Sequence, residues 1–194
     1  MIDPNNPDGH IPVKASKEVN NQINGMRYSS TNRPEDFEFH DAELSLVSWD
    51  ATELIVTAEF LNIHKDAAPD NSGTDMEISE ARITFYGFQI KNFTPSALWK
   101  TDESGKSYAA ESIIVHTGSA ARNMFENELR NSITVLFMNV DDGIYKLGAV
   151  GMDPCFSACF VFDSIKIEWN DYRGKAWYVR DFIDSESKPK QEKR

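Results

Sequence analysis

The sequence predicts an all-β, mainly antiparallel protein in which about eight or nine strands form a β-sandwich or a flattened barrel, with one or two short helices. From residue 37 onward, short runs rich in β-branched and aromatic residues follow one another, which is typical of strands. Turn-forming sequences such as Asp142-Gly143 separate these runs, and Asp-Gly favours a tight hairpin because glycine accepts a positive φ. Long helices do not alternate with the runs, which argues against a parallel α/β fold.

The chain of 194 residues predicts a single domain spanning 1–194, because a chain of this length buries roughly 70% of the surface that it exposes when unfolded. The β body of this domain is predicted at residues 37–183. Prolines and an Asp-Gly make residues 1–14 a loose lead-in. Residues 16–25 predict a short helix that starts at a serine cap and ends at a glycine. The polar residues 184–194 predict a disordered tail.

Turn-forming residues set the order of the predicted elements along the β body. Residues 43–62 predict a hairpin, because Asp50-Ala-Thr divides two apolar runs. The further predicted elements are a long strand at 80–93, a strand at 106–117, a helix at 119–129 capped by Ser119, a hairpin of 131–140 with 144–152, and a hairpin of 157–169 with 175–183 around Asn-Asp-Tyr-Arg-Gly. Such a series of hairpins suits a sandwich or a barrel.

Several predicted strands change the face that carries their apolar residues. The stretches are 37–44, 83–90 and 160–167, and the changes fall at His40-Asp41, Tyr86-Gly87 and Asp163-Ser164. Because strand side chains alternate with period two, an extra residue must be absorbed locally. A β-bulge does this, and so does a chain that crosses from one sheet to another at the dipeptide. The run 133–140 fits the same pattern, but it is apolar throughout.

His40-Asp41 is the candidate catalytic pair of the sequence. A histidine beside a carboxylate can serve as a general base. Neighbouring residues in a strand point to opposite faces, however, so the two side chains are not expected to contact each other. The alternative is that one of them satisfies backbone groups that a bulge leaves unpaired, and the sequence favours this structural role.

Metal and cofactor sites are weakly indicated, and no cofactor is predicted. The loop 64–80 contains Asp66, Asp70 and Asp75, whose oxygens suit Ca²⁺, but their spacing favours a solvated acidic loop. Cys155 and Cys159 lack the second pair of ligands that a zinc site needs. In a strand they lie too far apart for a disulfide, so free buried thiols are expected.

The charge of the chain limits the classes of partner. Its net charge of −11 disfavours nucleic acid, because the phosphate backbone is also negative. No run approaches the ~20 apolar residues of a membrane helix, and the N-terminus lacks the pattern of a secretory signal. With no need for an oxidising compartment, the sequence predicts a cytoplasmic protein.

Aromatic and basic residues concentrate near the C-terminus, where the last hairpin is predicted. They are Trp169, Tyr172, Arg173, Trp177 and Tyr178. This composition is typical of binding hot spots for proteins and of surfaces that stack against sugars. The alternative is that Trp169 and Trp177 pair across strands inside the core. The segment is the preferred interaction surface of the sequence.

The motif F-x-F-H-D-A-E-L at 37–44, with the later "LIVTAEF", "ARITFYGF" and "IKIEWNDYRGKAWY", resembles a loose group of uncharacterised bacterial proteins. These proteins carry an early His-Asp-Ala or His-Asp-Ser strand and a sheet-rich body. The resemblance covers about residues 37–180 and implies no established activity, so no catalytic residue is carried over. Small acidic proteins of similar texture also resemble immunity proteins from bacterial competition systems.

The sequence therefore predicts a bacterial binding protein that acts by contact with another protein, in an immunity-like or accessory role. The second hypothesis is an enzyme, either metal-dependent or based on His40. The third is a β module that binds a small ligand or a carbohydrate. A homo-oligomer is compatible with all of them.

Overall fold

The computed structural model describes residues 25–69, 72–97 and 99–179. The predicted lead-in at 1–14, nearly all of the helix at 16–25 and the tail at 184–194 lie outside these residues. Within them the predicted fold class is confirmed, because the chain is mainly antiparallel β-sheet with a large sheet of nine strands.

The described elements are short, and most follow one another after tight turns. In chain order the strands are β1 Tyr28–Thr31, β2 Phe37–Glu38, β3 Glu43–Trp49, β4 Glu53–Glu59, β5 Asn62–Ile63, β6 Met76–Ile78, β7 Ala81–Tyr86, β8 Gln89–Thr94, β9 Trp99–Thr101, β10 Ser107–Ala109, β11 Ile133–Asp141, β12 Ile144–Val150, β13 Phe156–Val161, β14 Ser164–Trp169 and β15 Tyr172–Lys175. A 3-10 turn covers Pro34–Asp36, and helix α1 covers Gly118–Arg130.

The nine-stranded sheet has the order β1-β14-β7-β4-β3-β11-β12-β13-β8. Only two residue pairs join β3 to β11, so the sheet has a five-strand half and a four-strand half. The halves enclose the core between them, and Phe85 of β7 meets Phe160 of β13 with ring centroids 6.3 Å apart. This two-layer arrangement buries the apolar faces of both halves, as in a sandwich.

Helix α1 covers one side of this core. Its Phe125 lies against Phe88 and Phe156, with ring centroids 6.2 and 6.4 Å away. On the preceding turn of the helix, Arg122 lies 4.5 Å above the ring of Trp49 and donates to the backbone carbonyl of Asp50 at 3.1 Å. These contacts fix the helix to the β3–β4 hairpin.

The face changes in the sequence mark crossings between different positions in the sheets. β7 ends at Tyr86 and β8 starts at Gln89, yet β7 is third and β8 ninth in the sheet order. β13 and β14 are separated in the same way. Likewise β2 belongs to a four-stranded sheet of order β15-β6-β5-β2, whereas β3 belongs to the large sheet. The crossing from one sheet to another is therefore confirmed for 37–44, whereas at Tyr86-Gly87 and Asp163-Ser164 the chain passes between the two halves of the nine-stranded sheet. A register shift between Val135 and Phe137 shows a bulge in β11.

The two crossings of the large sheet lie side by side, because β7 pairs with β14 and β8 pairs with β13. Asp163 N donates to Tyr86 O at 2.9 Å, and Gly87 N donates to Thr52 O at 2.8 Å. Gly87 has φ +63, and a Cβ atom there would lie 2.1 Å from Asp163 Oδ2. The crossing therefore favours glycine through its backbone angle, and a larger residue would also displace the exposed carboxylate of Asp163.

The hairpin at 43–62 and the helix at 119–129 are confirmed, although the helix begins at Gly118 after Thr117. The Asp-Gly hairpin is also confirmed, with φ +46 at Asp142 and +73 at Gly143, as a type I′ turn requires. Strand β1 was not predicted, and it pairs with β14 at one edge of the large sheet.

Four strand predictions are wrong. Residues 80–93 and 157–169 each form two strands, because the chain crosses over inside them. In 106–117 only Ser107–Ala109 is a strand. The last hairpin does not form, because β15 pairs with β6 and residues 177–179 are helical.

Gly87→Ala is expected to lower the free energy of unfolding by about 3 kcal/mol, through the positive φ and the collision with Asp163. Gly105→Ala is the matched control, because Gly105 has φ +83 and no atom near its Cβ position, so that it should cost only about 1 kcal/mol. Urea denaturation of both variants measures the difference. Equal losses for the two would show that the close approach at Asp163 does not constrain the fold.

Candidate functional site

The described residues form a cleft of about 400 Å³ at one end of the four-stranded sheet. Its lining residues are Glu38, His40, His64, Asp75, Trp177 and Tyr178. They come from the His-Asp motif, the acidic loop and the C-terminal aromatic segment, which were predicted as separate candidates. The structure brings part of each candidate into one site.

Pairing within the four-stranded sheet explains this convergence. Ile63 at the end of β5 pairs with Met76 at the start of β6, so that His64 and Asp75 lie next to each other. Met76 also pairs with Lys175 at the end of β15. Ala176 N donates to Asp75 O at 2.9 Å, which directs the chain after β15 into the cleft.

Asp75 is the centre of the hydrogen bonds in the cleft. Its Oδ2 accepts from the Tyr178 hydroxyl at 2.8 Å and lies 3.3 Å from His64 Nδ1. Its Oδ1 accepts from Lys65 N at 2.9 Å. Burial by itself would raise the pKa of Asp75, but the hydrogen bonds from Lys65, Tyr178 and His64 outweigh burial and hold this pKa below its usual value of 3.8. Asp75 is therefore a carboxylate at neutral pH.

Tyr178 is the neutral partner of this carboxylate. Burial, followed by its hydrogen bond to Asp75 and the negative charges of Asp75 and Glu38, raises the pKa of Tyr178 well above its usual value of 10.0. The phenol therefore keeps its proton and donates it to Asp75 throughout the physiological range.

The two histidines each direct one ring nitrogen at a fixed acceptor. His40 Nδ1 lies 2.6 Å from the carbonyl oxygen of Leu136, and a carbonyl only accepts, so Nδ1 carries a proton and donates it. His64 Nδ1 donates to ionised Asp75 by the same reasoning. In the neutral form of either ring, Nε2 is consequently the unprotonated nitrogen.

The expectation that His40 and Asp41 do not contact each other is wrong. His40 Nε2 lies 3.6 Å from Asp41 Oδ1, because the dipeptide forms a turn with φ +67 at Asp41 rather than a strand. The turn also brings His40 N within 2.8 Å of Glu38 Oε1, which accepts its hydrogen. Asp41 itself does not line the cleft.

The predicted aromatic surface does not exist as one surface. Trp169 is 1% exposed and belongs to the core, where it contacts Tyr28 and Tyr172. Arg173 lies 4.3 Å above the ring of Phe60 and forms ion pairs with carboxylates at 3.4 and 3.5 Å. Of the five residues of the predicted surface, only Trp177 and Tyr178 reach the cleft, because β15 pairs with β6 and not with β14.

The predicted metal and cysteine residues are dispersed. Within the described ranges, no group of three or more His, Cys, Asp or Glu side chains is arranged to hold a metal ion. Asp66 is exposed, Asp70 lies outside the described residues, and Asp75 alone lines the cleft. Cys155 and Cys159 are free, but Cys155 is exposed, so the expectation of two buried thiols is wrong.

The cleft combines carboxylates, imidazoles and aromatic rings. Among the described residues, those lining the cleft include two carboxylates, no lysine or arginine, and no serine, threonine or cysteine. His64, oriented by Asp75, offers a basic nitrogen, as a general base does. Trp177 is 36% exposed, and its ring is 6.3 Å from that of His40. An exposed indole beside carboxylates is a suitable environment for a cation.

Sequence reasoning did not single out Glu38 and His64. Glu38 looks like an ordinary polar residue of a strand, and His64 looks like the start of a polar loop. The Ile63–Met76 pairing that places His64 against Asp75 spans a loop, and no local pattern reveals it.

Tyr178→Phe is expected to lower the free energy of unfolding by about 1.5 kcal/mol at pH 7, because it removes a hydrogen bond to a carboxylate. The pKa of Asp75 is lowered by folding, so this stabilisation is present above pH 3.8 and is lost as the pH falls through the folded pKa. Denaturation at pH 7 and at a series of successively lower pH values should show the two proteins converging in acid. Tyr108→Phe, at an exposed tyrosine, is the control, and a pH-independent difference for Tyr178→Phe would contradict the assignment.

No protein-family model, no curated protein and no solved structure matches this chain. The resemblance of its F-x-F-H-D-A motif to a bacterial group therefore stays a prediction. In the part of the chain that the structure describes, no helix has both the length and the apolar character needed to cross a membrane.

Proposed function

We propose that this protein is a binding protein whose cleft holds the cationic side chain of a partner protein. The observation that carries the proposal is the exposed indole of Trp177 in one cleft with the carboxylates of Glu38 and Asp75, among lining residues that include no lysine or arginine. The proposal keeps the cytoplasmic location that the sequence predicts.

Three interactions support a cation in this place. The face of an indole attracts an ammonium or a guanidinium by about 0.5–2 kcal/mol. Carboxylates accept charge-assisted hydrogen bonds, and a guanidinium suits their geometry. The net charge of −11 also attracts basic surfaces from a distance.

The size of the cleft favours a single side chain over a whole metabolite. Its volume of about 400 Å³ lies near the lower end of pockets that enclose small molecules, roughly 300–1,000 Å³. An arginine or lysine inserted from a partner protein would fill such a cleft, while the rest of the contact would lie around it.

The alternative functions draw on the same cleft. A His-based enzyme gains support from the His64–Asp75 pair, but the lining residues of the described chain include no serine, threonine, cysteine or lysine nucleophile. A carbohydrate would also stack on Trp177. Charge separates these alternatives from the proposal, because a sugar or a neutral substrate does not require a cation.

The proposal predicts that N-acetyl-arginine amide binds with a dissociation constant of order 1 mM, as expected for a single cationic anchor. Its neutral isostere N-acetyl-citrulline amide should bind at least about fivefold more weakly. Glu38→Gln and Trp177→Ala should each weaken arginine amide binding about fivefold or more. Calorimetric titration at low and moderate salt measures these changes, and salt should weaken the binding.

The controls for this titration are Glu103→Gln and Tyr108→Ala, which remove an exposed carboxylate and an exposed aromatic ring outside the cleft. Melting curves confirm that each variant is folded. Equal affinities for the arginine and citrulline compounds, or equal losses in the control variants, would refute the proposed function.

A further inference from the structure

We infer that the cleft continues across Glu38 into an apolar groove, which binds an apolar side chain from the same basic segment of the partner protein. We call this second feature the tip groove, and it is lined by Pro34, Glu35, Glu38, Met138, Val140 and Tyr145, among others. Its volume is about 330 Å³. The inference rests on the proposed function and names the kind of segment that the site would recognise.

Glu38 connects the two features physically. It lines both the cleft and the tip groove, so that the two features are adjacent at this residue. A cation held in the cleft is consequently close to the groove. A peptide segment that places a basic side chain against Trp177 would present a residue only a few positions away to the groove.

One wall of the tip groove is the exposed end of the β11–β12 hairpin. Ile133 and Val135 of β11 are buried in the core, and after the bulge the same apolar row continues as Met138 and Val140. Val140 is 58% exposed, so the row extends beyond the residues that cover the core. An apolar side chain left in water beside a concave surface favours binding of another apolar group.

Packing holds this wall in place. Tyr145 pairs with Val140 across the hairpin, and its ring stacks on Phe162 with centroids 4.6 Å apart. The Asp142-Gly143 turn fixes the register of the two strands. A groove with a fixed wall loses little conformational entropy when a ligand binds.

The charges around the tip groove select a basic segment over an acidic one. Glu35 is exposed on the rim of the groove. Burial of Tyr145 is the main cause that raises its pKa, and the negative charge of Glu35 raises this pKa further. Asp141 and Asp142 lie at the hairpin tip next to Val140. The nearby Arg33 forms an ion pair with Asp36 at 2.8 Å, which offsets its charge. An apolar residue within a basic segment therefore complements both the groove and its rim.

The test compares short peptides that contain one arginine. N-acetyl-arginine amide is the reference, and a peptide series places leucine one, two or three residues before or after the arginine, with glycine at all other positions. Each peptide has an all-glycine match of equal length and charge. At least one leucine peptide should bind about fivefold more tightly than its match, because part of a leucine side chain leaves water.

Val140→Ser should remove most of that fivefold gain and leave the binding of N-acetyl-arginine amide unchanged. Ile144→Ser is the matched control, because Ile144 is an exposed β-branched residue on the same hairpin that does not line the groove. Retention of the gain in Val140→Ser, or an equal loss in Ile144→Ser, would overturn the inference.

The remaining outcomes separate the two proposals. If N-acetyl-arginine amide binds but no leucine peptide exceeds its glycine match, the tip groove inference fails and the proposed function stands. If neither the arginine amide nor any peptide binds, both fail. Sedimentation of the free protein tests whether a second copy of this chain occupies the groove. A dimer that Val140→Ser dissociates would assign the groove to that second copy and overturn the inference.

Discussion

The paired crossing at Gly87 and Asp163 is the constraint on which the rest of the structure depends. Two paired segments cross there from one half of the large sheet to the other, and the positive φ of Gly87 allows the tight turn between β7 and β8. The crossing turns the halves face to face and encloses the aromatic core between them. β14 begins directly after the crossing and pairs with β7 as far as Trp169, and the chain then enters the four-stranded sheet as β15.

The cleft is a consequence of this second sheet. β6 pairs with both β5 and β15, and the ends of these strands bring a loop histidine, an aspartate and two aromatic side chains together. Asp75 accepts hydrogen bonds from each neighbouring segment, so it organises the cleft and also supplies its charge. The same carboxylate thus contributes to stability and to the proposed recognition of a cation, which couples the shape of the cleft to pH.

Much of the fold could be predicted from the sequence, because local patterns determine it. The Asp142-Gly143 hairpin follows from turn chemistry, and the changes of face at Tyr86-Gly87 and Asp163-Ser164 indicated the crossings. The strand predicted at 106–117 failed because its β-branched residues at 113–115 are exposed, with only His116 bridging to Phe93. The cleft could not be predicted as a unit. His40, Asp75 and Trp177 each attracted attention separately, but the pairings that unite them are non-local, and composition alone did not reveal that Trp169 is buried while Trp177 is exposed.

The most direct test of cation recognition is a two-dimensional NMR titration with N-acetyl-arginine amide that follows the indole resonances of the tryptophans and the imidazole resonances of the histidines. The account predicts that the signals of Trp177, His40 and His64 shift together along one binding curve, while those of buried Trp169 do not move, and that the citrulline analogue shifts none of them. A binding curve centred on other residues, or equal shifts with the citrulline analogue, would contradict it.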